Sequence, residues 1–116
     1  MIVMKLSDYE MKVLALLKRK GRMRYSEIHE ELDISQGGLT KLLNRLVEKG
    51  FLIRELESDK YPPPVYYRLN PEKEDELKPL FRKEVEESYM ALMEFDPETA
   101  KKVLEELKKK IKELKR

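Results

Sequence analysis

The sequence predicts a mainly helical α+β fold, with three short helices and a β-hairpin followed by a C-terminal helical arm. Three observations carry this prediction. Apolar residues repeat at helical spacing up to about residue 47, at strand spacing between 51 and 69, and at helical spacing afterwards. Capping residues and glycines stand where these patterns change. The chain has 116 residues, and we divide it into domains 1–70 and 71–116.

The composition excludes several kinds of site. There is no cysteine and a single histidine, His29, so we expect no disulfide, no metal and no cofactor. No apolar run approaches the ~20 residues of a membrane span, so we expect a cytoplasmic protein. Charged residues make up 41% of the chain and side-chain amides are scarce, which is typical of a thermophile.

The first helix has a strong start signal, because Ser7 and Glu10 have the spacing of a capping box. Gly21 suits the position just after its end. Residues 22–25 partly alternate and predict a brief strand. Ser26 is predicted to cap a second, short helix.

A third helix is predicted to begin after Ser35 and to end at Gly50. Its apolar stripe consists of Leu39, Leu42, Leu43, Leu46 and Val47. Gly37 and Gly38 leave two interpretations open. Either they let the helix approach a ligand closely, or they form a turn and the helix begins later.

A β-hairpin is predicted directly after the third helix. Residues 51–57 are rich in strand formers, residues 58–64 form a loop with three prolines, and residues 65–69 alternate like a returning strand. Three helices followed by a hairpin are the element order of a winged helix-turn-helix.

Residues 7–70 resemble the MarR, ArsR and PadR class of prokaryotic winged-helix regulators. The segments that carry the resemblance are Ser26–Leu32, Ser35–Leu46, Glu48–Arg54 and Val65–Leu69. The resemblance implies a transcription regulator that binds double-stranded DNA, and we expect a repressor that acts without enzymatic activity. No catalytic constellation is found. A winged helix that serves protein–protein contact in the transcription machinery is the alternative, and it predicts an apolar outer face on the third helix.

The face of the third helix opposite its leucines carries the predicted DNA-reading residues. Asn and Gln can form two hydrogen bonds with adenine, and Arg or Lys can do so with guanine. The candidate residues are Ser35, Gln36, Gly37, Gly38, Thr40, Lys41, Asn44 and Arg45.

The hairpin, or wing, carries candidate phosphate contacts. These are Arg54, Lys60, Tyr61 and Arg68. The two arginines can instead pair with Glu55 or Glu57 across the hairpin.

Two helices are predicted after the hairpin, one starting at Asn70–Pro71 and one at Asp96–Pro97. Pro79 either kinks the first of them or marks its start. Their apolar faces are predicted to make a homodimer, through Leu80, Phe81, Val85, Tyr89, Leu92, Leu104, Leu107, Ile111 and Leu114. A hairpin closed within one chain is the alternative.

Three tyrosines also allow two interpretations. Tyr66, Tyr67 and Tyr89 either line an effector pocket or pack in the core and dimer. The second interpretation is favoured, so a small-molecule effector is compatible with the sequence but is not indicated by it.

Overall fold

A computed structural model describes residues 5–115. Residues 1–4 and 116, which belong to the predicted domains 1–70 and 71–116, lie outside the described residues. The elements are α1 (Asp8–Lys20), β1 (Met23–Arg24), α2 (Tyr25–Glu31), α3 (Gln36–Glu48), β2 (Leu52–Leu56), β3 (Val65–Leu69), a 3₁₀ turn (Pro71–Lys73), α4 (Glu74–Phe95) and α5 (Pro97–Leu114).

The ends of α1 are those that the sequence predicts. The Glu10 N–H donates to Ser7 Oγ over 3.2 Å, and the Ser7 N–H donates to Glu10 Oε1 over 3.0 Å. Gly21 ends the helix at φ 80°, a conformation that other residues rarely adopt. The Tyr9 hydroxyl, on the outer side of α1, donates to the Asp33 carbonyl over 2.7 Å.

The predicted cap of the second helix is wrong. Ser26 lies inside α2, and the N-cap is Arg24, two residues before the predicted cap. Its first turn is closed by Glu27, whose carboxylate accepts a hydrogen bond from the Arg24 N–H at 2.9 Å. Because Arg24 is also paired with Tyr66 in the sheet, strand pairing and this carboxylate together set the start of α2.

The three strands form an antiparallel sheet in the order β1-β3-β2. Ile53 lies opposite Arg68, and Leu52 opposite Leu69. The strand β2 is shorter than predicted because the N–H of Phe51 still bonds to the Leu46 carbonyl of α3, at 3.0 Å. The predicted returning strand has the observed bounds.

Apolar side chains from α1, α2, α3 and the sheet make one core. Those that are almost completely inaccessible are Leu6, Val13, Leu14, Leu17, Ile28, Leu39, Leu43, Leu46 and Phe51. The leucine stripe of α3 therefore faces inward, which leaves the opposite side of that helix at the surface.

Asp96 caps α5 as predicted, whereas Asn70 caps the 3₁₀ turn and α4 begins four residues later, at Glu74. Asn70 Oδ1 accepts from the Glu72 N–H at 3.1 Å, and Asp96 Oδ1 accepts from the Glu98 N–H at 3.2 Å. Pro79 lies inside α4, which starts at Glu74, so the interpretation that Pro79 marks the helix start is wrong.

The chain divides into two compact units, Met1–Phe81 and Arg82–Arg116. The first unit includes the start of α4, and Leu77 is buried in its core while Leu80 and Phe81 pack against that core. The core of the first unit therefore includes side chains that follow the hairpin in sequence. Within the second unit, the Tyr89 hydroxyl donates to the Ala100 carbonyl over 2.8 Å.

Candidate nucleic-acid interface

The outer face of α3 is polar and open to solvent. Its exposed residues include Gln36, Thr40, Lys41, Asn44 and Arg45. The helix begins after Ser35, whose Oγ accepts from the Gly38 N–H at 3.1 Å. The structure thus brings these predicted reading residues together on one helix face, with its amino-terminal turn at the surface.

The two glycines at the start of α3 have different roles. A Cβ on Gly38 would lie 3.0 Å from Ser35 Oγ and 3.1 Å from Ile34 Cγ1, so a larger residue there would push against the capping side chain and its neighbour. A Cβ on Gly37 would meet nothing within 4 Å. The interpretation that both glycines form a turn before the helix is wrong, because α3 starts at Gln36.

The turn between α2 and α3 contains a hydrogen-bonded cluster that the sequence analysis missed. The Tyr25 hydroxyl lies 2.8 Å from the Gln36 carbonyl oxygen and 3.0 Å from Thr40 Oγ1. The Tyr25 ring stacks on His29 with centroids 6.3 Å apart, and His29 Nε2 lies 3.0 Å from the Ile34 carbonyl oxygen. The only sequence signal was two aromatic residues one helical turn apart in α2.

The arginines of the wing have different surroundings. Arg68 Nε bonds to Glu55 Oε1 at 2.8 Å, which is the cross-strand pairing left open by the sequence. Arg54 is exposed on β2, and among the described residues no carboxylate forms an ion pair with it. Arg54 is therefore the wing arginine whose charge is available at the surface.

Glu57 holds two cations at the base of the wing loop. Its carboxylate lies 3.1 Å from Lys60 Nζ and 3.0 Å from an Arg22 guanidinium nitrogen. The Arg22 guanidinium also lies over the Tyr66 ring, 3.9 Å from its centroid. The hydrogen bond from Lys60, followed by Tyr66 and the charge of Arg22, holds the pKa of Glu57 below its usual value against partial desolvation.

The tip of the wing is open to solvent. Tyr61 is 98% exposed and is followed by three prolines. Prolines restrict the backbone, so the loop loses less conformational freedom when it docks. Lys60 and Tyr61 thus lie next to each other at an accessible loop.

A buried ion pair connects α1 with the end of α3. Glu10 is only 3% exposed, and its Oε2 lies 3.0 Å from Lys49 Nζ. Burial raises the pKa of Glu10, but the Ser7 N–H and the Lys49 ammonium outweigh it and hold this pKa below the ordinary value. This pair links α1 to the carboxyl-terminal end of α3.

The residues predicted to make a dimer fall into two groups. Leu80 and Phe81 pack against the core of the first unit, so part of their surface is used within the chain. The others remain accessible to different degrees. Val85, Leu104, Leu107, Ile111 and Leu114 are exposed, while Tyr89 and Leu92 are half-buried.

An open apolar groove of about 350 Å³ lies on the first unit, lined by Leu14, Ala15, Lys18, Leu69, Glu74, Leu77, Lys78 and Phe81. None of the three tyrosines considered as effector contacts lines it. Tyr67 is buried in the core and Tyr66 lies beneath Arg22. Packing is therefore the correct interpretation for Tyr67. Within residues 5–115, no helix is both long and apolar enough to cross a membrane.

Fold and surface together define a winged helix-turn-helix protein of the transcription-regulator class. The sequence model of the family described as "Sugar-specific transcriptional regulator TrmB" matches residues 1–72. The chain belongs to this TrmB family. The family is described as one of transcriptional regulators, so the predicted class of protein is confirmed.

One relative is a protein of Methanocaldococcus jannaschii described as uncharacterised. It is 36% identical over 64 residues, which cover 54% of this chain and 53% of the relative. The match therefore spans about half the length of this curated relative.

Solved structures have a similar fold. MarR has a TM-score of 0.69 at 21% identity, over 93% of this chain and 77% of MarR. A mutant MarR from E. coli complexed with operator DNA has a TM-score of 0.61 at 22% identity, over 91% and 75%. NadR in complex with 4-hydroxyphenylacetate has 0.55 at 22%, over 95% and 78%. These likenesses confirm the predicted fold, including C-terminal helices.

Proposed function

We propose that the protein is a homodimeric repressor that binds a specific double-stranded DNA site, with α3 in the major groove. The observation that carries this proposal is the outer face of α3. Lys41, Asn44 and Arg45 follow one another along an exposed helix face whose opposite side is buried. Such side chains offer the hydrogen bonds that distinguish base pairs.

The start of α3 supports the same proposal. Gly37 costs the helix stability relative to alanine, and no neighbour in the described structure requires its missing side chain. A DNA backbone that approaches the start of α3 would explain the glycine. Without a side chain at position 37, a phosphate can come close to the N–H groups of the helix.

The wing would hold the backbone beside the major groove. Arg54 offers a free charge, and Lys60 is paired with a carboxylate that Arg22 also neutralises. Lys60 can therefore turn from Glu57 to a phosphate without leaving that carboxylate alone. Arg68, bonded to Glu55, is the weakest of the predicted contacts.

The alternative of a winged helix devoted to protein contact fits this surface less well. Protein interfaces are depleted in charged residues at their centre, whereas the centre of the α3 face carries Lys41 and Arg45. The apolar surface lies instead on the C-terminal helices. We assign protein contact to that region, where a second copy would pair across a two-fold axis and space the reading helices by about 34 Å.

The experiment starts with selection of bound duplexes from a random pool, followed by affinity measurements on single base-pair variants. Arg45→Ala should weaken the best duplex by ~1–3 kcal/mol and relax the preference at one base pair. Lys60→Ala should weaken all duplexes evenly and reduce the salt dependence by about one phosphate contact. Arg82→Ala, which removes an exposed arginine outside the winged domain, is the control. A wild-type protein with no preference among duplexes at physiological salt refutes the proposal.

A further inference from the structure

The cluster at the start of α3 contains more close oxygen–oxygen contacts than there are hydroxyl protons to form hydrogen bonds in them. Three oxygens lie within 3.0 Å of one another, namely the Tyr25 hydroxyl, Thr40 Oγ1 and the Gln36 carbonyl. The two hydroxyls together supply two protons for three contacts. One contact in this triangle therefore always lacks a proton of its own.

The Gln36 carbonyl has room for only one of these hydroxyls. In α3 it accepts the regular helical hydrogen bond from the Thr40 N–H, which uses one of its two lone pairs. Both hydroxyls are then directed at the remaining lone pair. The Tyr25 hydroxyl is the closer donor, at 2.8 Å against 3.0 Å for Thr40 Oγ1.

The position of Tyr25 favours its hydroxyl over that of Thr40 as the donor to the Gln36 carbonyl. Its ring is half-buried and stacked on His29, which is itself tied to the Ile34 carbonyl of the turn. The Tyr25 hydroxyl is thus held in place from α2, while the Thr40 hydroxyl turns about a single bond at an exposed position. When Tyr25 donates to Gln36, the Thr40 hydroxyl can donate to the Tyr25 oxygen at 3.0 Å or turn outward to an acceptor on DNA. Without Tyr25, the Thr40 proton would satisfy the Gln36 carbonyl and stay within its own helix.

We propose that Tyr25 is a specificity-determining positioning residue, which satisfies the Gln36 carbonyl and so releases the Thr40 hydroxyl to donate to DNA. The inference rests on the proposed function. It assigns to Tyr25 no contact with DNA. Its effect is transmitted through the proton of Thr40 and through the orientation of the turn that carries Gln36.

The test compares Tyr25→Phe with Thr40→Ala and with the double variant, using the duplex selected for the wild type and its single base-pair variants. Each single change should weaken the selected duplex about fivefold, the effect of one neutral hydrogen bond. Both should relax the preference at the same base pair. The double variant should lose little more than Thr40→Ala alone, because Thr40 has nothing left to donate. Thr40→Ser keeps the hydroxyl and should keep both the preference and the sensitivity to Tyr25→Phe.

Tyr9→Phe is the matched control, since it removes a phenol hydroxyl bonded to the Asp33 carbonyl before α3 without touching Gln36 or Thr40. Its effect should add to that of Thr40→Ala and leave the base preference unchanged. Thermal melting of each variant shows that it is folded. If Tyr25→Phe weakens all duplexes evenly, or if its loss adds to that of Thr40→Ala, the inference is overturned while the proposed function stands. A wild type without any base preference overturns both.

Discussion

The helices α3 and α5 have the same kind of sequence pattern, but the apolar face of α3 is buried and that of α5 is exposed. Each carries an apolar stripe at helical spacing with polar residues around it. Leu43 of α3 is completely buried, whereas Leu107 and Ile111 of α5 are 43% and 51% exposed. A periodic stripe therefore shows that a helix face is built for burial, but it does not show which surface will cover it.

The ion pairs of the two units also differ in burial. Glu10, in the first unit, is buried and bonded to Lys49 and to the Ser7 backbone. In the second unit, the ion pair between Arg82 and Glu86 lies at the surface. A closed core fixes its polar groups in one geometry, and a surface pair of this kind contributes little to stability. Among the described residues, the first unit thus has a closed core, while α5 exposes an apolar stripe.

The strongest test of this difference places charge on the stripe of α5. Changing Leu107 and Ile111 to Lys would bury like charges against a second copy. We expect the double variant to become monomeric and to lose operator affinity about 100-fold or more, because two linked half-site contacts become one. The winged domain should remain folded. Light scattering and a binding titration measure the two effects.

Glu105→Lys is the matched control for that experiment. It adds the same net charge to α5 on the side away from the apolar stripe, and it should stay dimeric. If the wild type is monomeric at micromolar concentration, the second unit has no partner of its own kind and the comparison fails. A double variant that remains dimeric would move the interface to Val85 and Leu92 of α4.

A second test truncates one apolar side chain in each unit. Leu43→Ala should lower the free energy of unfolding by about 2–5 kcal/mol, because it leaves a cavity in a closed core. Phe95→Ala removes a larger side chain, but that ring is 90% exposed, so we expect a change below about 0.5 kcal/mol. Urea unfolding at one protein concentration measures both. Equal decreases in the free energy of unfolding would show that the apolar side chains of the two units are equally buried in solution.

A third and smaller effect is the pH dependence of the Glu10–Lys49 pair. Since the folded protein lowers the pKa of Glu10, the pair stabilises the fold fully above the unfolded pKa of about 4.3. This stabilisation is lost as the pH falls through the lower, folded pKa. Glu10→Gln should cost about 1–3 kcal/mol at neutral pH, and its stability should approach that of the wild type in acid.

The measurement is urea unfolding of both proteins between pH 2 and 7. Glu86→Gln, at the exposed pair with Arg82, is the control and should show almost no difference at any pH. A gap between wild type and Glu10→Gln that stays constant down to the lowest pH would contradict the assignment of this stabilisation to the ionised carboxylate.

Much of the fold could be predicted because its signals are local. The capping box of Ser7 and Glu10, the cap at Ser35 and the glycine at position 50 all act within a few residues of the chain. The start of α2 was predicted wrongly at Ser26. It depends on the pairing of Arg24 with Tyr66, a contact between residues far apart in sequence.

The candidate site could be predicted in part for the same reason. Exposure of Lys41, Asn44 and Arg45 follows from the leucine spacing of α3 alone. The hydrogen bonds of Tyr25 could not be predicted, because its partners Gln36 and Thr40 lie across a turn. Whether these residues read DNA, whether the second unit pairs with another copy, and whether the source is a thermophile stay predictions.

The sequence by itself determined the order of the helices and strands, most of their ends and which of their faces are apolar, since periodicity and capping are properties of neighbouring residues. Only the tertiary structure decided how each face and each polar group is used. It joined Leu77 to the core and tied Arg68 to Glu55, and within residues 5–115 it left Arg54 without an ion pair. These choices depend on distances between elements, because hydrogen bonds and ion pairs form only within a few ångströms, and chain packing alone sets those distances.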